Sequence, residues 1–190
     1  MITDDDSVYY YTCYYDYLHM DFGRPTILLV PKDSESILIT PLIDIKLLED
    51  DAIIDKVLSW NDGVGSEWKE HLPLYLTKEK NIAVEYNQIP ALVRNYIYIL
   101  IDEKTVNDVI PIIVEMRMIK SAEELEIACH AGQVANAMMQ AAKNTIADGV
   151  PEFEIALSTS AAGTKKASEI LNKHYPNLRM SPNIHFLQIM

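Results

Sequence analysis

The chain is short of positive charge, of cysteine and of long apolar runs, and each shortage excludes something. Sixteen lysines and arginines stand against 28 acids, a formal net charge of −12 over 190 residues. The imbalance is uneven: residues 1–118 carry 21 acids and 10 bases, residues 119–190 carry 7 and 6. Nucleic-acid binding needs a basic stripe that neutralises phosphates, and an acidic surface repels them, so nucleic acid is excluded as a partner. No stretch approaches the roughly 20 apolar residues that cross a bilayer, which excludes membrane insertion. The opening MITDDDSVYY is acidic where a secretory leader would be basic and then apolar, so a cytoplasmic location is expected. The two cysteines, Cys13 and Cys129, form no CxxC pattern and are expected to be reduced, buried thiols.

Catalytic signatures are equally scarce. His19, His71, His130, His174 and His185 are scattered, and none belongs to an HExxH motif or a Cys/His cluster with zinc spacing. For His130, in a stretch rich in apolar positions, a hydrogen-bonded structural role is preferred to a ligand role. AGTKKAS at 162–168 lacks the spacer and second glycine of a phosphate loop, and GVG at 63–65 is a lone turn signal. Internal repeats and low-complexity tracts are absent.

What is present is enough apolar material, 49% of residues, to bury one good core or one core and part of another. Six of the eleven tyrosines fall between Val8 and Tyr17, a composition that favours a strand or a strand running into an aromatic loop. RPTILLVPKDSESILITP reads as a hairpin of strands Arg24–Val30 and Ser36–Thr40 around a polar turn. Two amphipathic segments follow, Asp50–Trp60 and Ser66–Leu76, and then a short buried strand, NIAVEY. IPALVRNYIYIL predicts a helix leading to a strand near Lys104–Val109, and a further helix spans about Val109 to Glu115. Alternating strands and helices define an α/β domain with a mixed sheet.

Ser121 and Glu124 form a capping box, which starts a helix over Ser121–Ala147. Its apolar residues recur at three- and four-residue spacing, so it is expected to be largely buried. Asp148-Gly149 stops it, Pro151 opens a second helix to His174, and IHFLQIM predicts a closing strand. In DFGRP, residues 21–25, Arg24 stands at the lip of the sheet, where a guanidinium could hold a carboxylate. From chemistry alone, a solvated arginine in an edge-strand turn is the better reading.

The order of YYYTCY, FGRP, IAVEYN, MRMIKSAEELEIACHAGQVANAMM and GVPEFEIAL resembles the creatinase/prolidase family of pita-bread hydrolases. The resemblance implies a mixed-sheet α/β N-terminal domain, residues 1–118, lacking its first helix and strand. The opening helices of an incomplete α+β pita-bread catalytic domain follow, residues 119–190. It implies a fragment of an Xaa-Pro peptidase-like hydrolase that cleaves amide bonds with metal-activated water. The alternatives are a metal-free amidinohydrolase of the creatinase type and a non-catalytic dimerisation or substrate-binding module. The partners implied are a small peptide or small amide and a second copy in a homodimer. By the same resemblance, Phe22 and Arg24 would hold the substrate carboxylate across that dimer.

The family's dinuclear site uses two aspartates, a histidine and two glutamates, and nothing in residues 119–190 matches them. A divalent pair such as Mn or Co is therefore expected only in a longer parent. For the chain itself the expectation is no catalytic residue, no metal ligand, no bound cofactor and no activity.

Overall fold

The computed structural model describes residues 1–14, 24–46, 48, 52–61, 63, 66–77 and 81–176. The chain divides into two compact units, Met1–Met118 and Ile119–Met190.

The first unit is built on a three-stranded sheet. β1 (Ile27–Leu29) pairs antiparallel with β2 (Ile37–Pro41), Leu28 opposite Leu38, as the hairpin pattern predicts. β2 pairs parallel with β3 (Lys56–Trp60), Ile39 opposite Leu58, so the sheet is mixed. All residues of β1 and β2 are buried, the signature of a sheet covered on both faces. Side chains alternate across a strand. Ile27, Ile37 and Ile39 accordingly join a core with Trp60, Trp68, Val93 and Ile97. Leu28 and Leu38 join another with Ile2, Val8 and Ile113. Between the faces Thr26 and Thr40 satisfy each other, their hydroxyls 3.0 Å apart.

The tyrosine-rich segment departs from expectation, for α1 (Asp5–Thr12) is a helix. Asp4 caps it by accepting from the Ser7 N–H, and Asp5 and Asp6 meet the positive end of the helix dipole. These terminal interactions outweigh the strand preference of tyrosine, which is a weak and context-dependent one. Cys13 ends the helix at φ 59°, a conformation unusual outside glycine.

Of the two amphipathic segments, the first contains β3 and the second folds as short 3-10 turns, Glu67–Glu70 and Leu72–Leu74. The turns bury Trp68 edge-on against Tyr96, with ring centroids 5.5 Å apart. β4 (Ile82–Val84), α2 (Ala91–Leu100) and β5 (Val106–Asp108) follow, β4 and β5 pairing parallel around the helical crossover. α3 (Ile110–Met118) closes the unit.

The second unit is a hairpin of long helices, α4 (Ala122–Thr145) and α5 (Glu152–His174). Ser121 and Glu124 form the capping box in full. Gly149, at φ 80°, supplies the left-handed residue in the turn. The helices run antiparallel: Thr145 bonds Ser158 at one end (2.8 Å), and Val134 packs with Ala167 and Ile170 further along.

Here the expectation of a largely buried first helix is corrected, since Val134 is the one buried residue of α4. Two helices cover only a narrow stripe of each other, and Leu125, Ile127, Met139 and Ile146 remain exposed. The expected closing strand IHFLQIM lies outside the described residues. Among those described, no helix is long and apolar enough to cross a membrane.

Candidate metal centre

The hairpin brings together residues that are far apart in sequence. Glu126 and His130 are four residues apart in α4, which places them one above the other on one helix face. His174 is the last residue of α5, and antiparallel packing returns it to the start of α4. One ligand atom from each of Glu126, His130 and His174 lies within 4.8 Å of the others. The two imidazole centroids are 4.3 Å apart, and His174 Nδ1 stands 4.0 Å from a Glu126 carboxylate oxygen. His130 is half-buried and its Nδ1 is hydrogen-bonded to the Tyr175 hydroxyl at 2.9 Å.

This cluster corrects two expectations, that the chain lacks a metal site and that it binds no cofactor. The three ligands follow neither a motif spacing nor the family's pattern. Helix packing assembles them. The i, i+4 spacing of Glu126 and His130 was a visible signal, but His174 becomes their neighbour only once the hairpin closes. The hydrogen bond expected for His130 is present, and it accompanies a possible ligand role instead of replacing it. The donor set does not fit the family's metal pair, because two ions need bridging carboxylates and the cluster holds one carboxylate with two imidazoles. It fits a single ion.

The residues singled out for substrate binding are placed differently. Arg24 is half-buried just before Pro25 and β1, within the first unit, and Phe22 lies outside the described residues. A cleft of about 340 Å³ elsewhere in that unit is walled by Ser7, Glu85, Asn87, Gln88, Ile113 and Arg117, without Arg24. At its edge the Arg117 guanidinium sits 5.6 Å from the Tyr10 ring centroid, a cation–π distance. Glu85 is buried, and one of its carboxylate oxygens accepts from the backbone N–H groups of Thr3 and Asp4, each at 3.0 Å. His71 is structural, its Nε2 3.0 Å from the Ser59 carbonyl. Both cysteines are exposed free thiols, against the expectation of burial.

A mixed-sheet α/β unit followed by a helical hairpin is the class that these elements define. The Creatinase/Prolidase N-terminal domain family matches residues 1–119, and the chain belongs to that family. A creatinase from Bacillus sp. (strain B-0618) is 24% identical over 194 residues, spanning 95% of this chain and 43% of the relative. The prolidase from Pyrococcus furiosus shares the fold with a TM-score of 0.70 at 20% identity, over 87% of this chain and 44% of that one. The prolidase from Pyrococcus horikoshii OT3 gives 0.72 at 20% identity, over 86% and 43%. The chain thus spans under half the length of these relatives.

Proposed function

We propose that the chain is part of a hydrolase acting on small peptides or small amides, in which residues 1–118 form the substrate-gripping domain and residues 119–190 begin the catalytic domain. The observation that carries this reading is the family match over residues 1–119. Relatives named prolidase, Xaa-Pro dipeptidase and creatinase support it. The free thiols of Cys13 and Cys129 suit a reducing, cytoplasmic setting.

Arg24 is the residue assigned to the substrate. A guanidinium offers two parallel N–H donors to a carboxylate, and such a pair fixes orientation as well as affinity. Pro25 behind it is buried and limits the backbone at the entrance to β1. In a homodimer, Arg24 with Phe22 would reach the partner's substrate.

Steady-state kinetics on the hydrolase containing this chain test the assignment. Hydrogen bonds to a charged group are worth about 1.5–3 kcal/mol, so Arg24→Ala should raise KM for a free dipeptide roughly 10- to 150-fold. A C-terminally amidated dipeptide should show a much smaller change. Equal effects on both substrates, or none on either, would refute the role.

A further inference from the structure

We propose that Glu126, His130 and His174 form a site for one transition-metal ion of the zinc class, a clamp that joins the start of α4 to the end of α5. The proposal is independent of the peptide-hydrolysis reading and stands whether or not that reading does. The donors set the metal class. Two imidazoles and one carboxylate favour Zn²⁺, Co²⁺, Ni²⁺ or Cu²⁺, whereas Mg²⁺ and Ca²⁺ are held by oxygen.

The donors stand near enough to be drawn onto one ion. Ligands about 2.0–2.2 Å from a tetrahedral ion are about 3.3–3.6 Å apart, and the three donor atoms lie within 4.8 Å of one another. The remaining contraction is available to side chains that are not locked in a core: those of Glu126 and His174 are 64% and 31% exposed. His130 is the anchored member. When its Nδ1 carries the proton and donates to the Tyr175 hydroxyl, Nε2 keeps a free lone pair, the arrangement that orients metal-binding histidines generally.

A plain ion pair between His174 and Glu126 is the simpler account of that contact. At 4.0 Å and this exposure, however, such a pair contributes little. It also gives no role to the second imidazole packed 4.3 Å away or to the phenol that orients it. A metal uses all four groups. It would also act where the hairpin needs it, because among the described residues the buried part of its apolar cluster is just Val134, Ala167 and Ile170.

Calorimetric titration of Zn²⁺ into the 190-residue chain decides the matter, with Cys13 and Cys129 replaced by serine so that exposed thiols cannot compete. The expected result is one Zn²⁺ per chain and no heat from Mg²⁺. Binding should be lost in the His130→Ala and His174→Ala variants and weakened by about tenfold or more in Tyr175→Phe. Glu126→Gln alters only an exposed side chain and should also weaken binding, which covers the case in which a histidine variant disturbs the helices. Absence of Zn²⁺ binding would overturn the proposal. So would binding unchanged by Glu126→Gln and by the two histidine substitutions together, since the ion would then sit elsewhere.

Discussion

His130 Nδ1 and the Tyr175 hydroxyl are 2.9 Å apart, although 45 residues separate them in sequence. One belongs to α4 and the other directly follows α5, so their hydrogen bond ties the open end of the hairpin. Tyr175→Phe keeps the ring and deletes the bond. It should destabilise the hairpin by about 1 kcal/mol, the usual net value of one hydrogen bond. The ¹⁵N shifts of His130 should then report a changed tautomer balance. Unchanged shifts would mean that the bond does not form in solution.

Glu85 holds the approach to α1. Its carboxylate accepts from two backbone N–H groups just before the helix, and the side chain is buried. Glu85→Ala removes the oxygen that accepts both bonds and leaves the Thr3 and Asp4 donors to find other acceptors. The expected loss is about 3 kcal/mol or more in urea unfolding, because each bond to a charged acceptor contributes about 1.5–3 kcal/mol. Glu85→Gln retains an acceptor oxygen and should lose less. Equal losses for the two variants would show that bulk, not hydrogen bonding, is what the site requires.

Asp55 gives a prediction with a definite sign. The Ser36 hydroxyl and backbone N–H both donate to its Oδ2, the latter at 2.8 Å, and they hold its carboxyl below the ordinary aspartate range, the hydroxyl more than the N–H. A depressed folded-state pKa contributes stability above the unfolded value, and that contribution is lost as pH falls through the folded value. Ser36→Ala should therefore move the Asp55 titration upward in a carboxyl-detected NMR experiment. An unmoved midpoint would rule out the hydroxyl as the cause. The backbone N–H remains in the variant, so the return to the ordinary range should be partial.

Local chemistry was legible in the sequence where it acts over a few residues. Ser121 and Glu124 announced the start of α4, and the polar turn after Val30 announced the β1–β2 hairpin, because both signals rest on hydrogen-bonding groups within one turn of chain. The tyrosines before Cys13 point to a strand by composition, and the Asp4 cap with the acidic first turn of α1 overrides them. β3 was hidden within an amphipathic segment because its place in the sheet depends on parallel pairing with β2, a partner more than a dozen residues earlier.

The candidate site was less legible for the same reason, at longer range. Glu126 and His130 share a helix face by spacing alone, but the third ligand arrives with α5, and no motif of fixed length records that meeting. The burial of α4 was overestimated because periodicity marks an apolar stripe without saying whether a partner within the chain covers it. Leu125 and Ile127 fit the expected pattern and are nonetheless exposed.

The most direct measurement on the metal site is crystallographic. Crystals of the chain soaked in Zn²⁺ and recorded on both sides of the zinc absorption edge should show an anomalous peak bounded by Glu126, His130 and His174, with Tyr175 against His130. Anomalous density elsewhere, with these three side chains left as an ion pair and a hydrogen-bonded histidine, would contradict it.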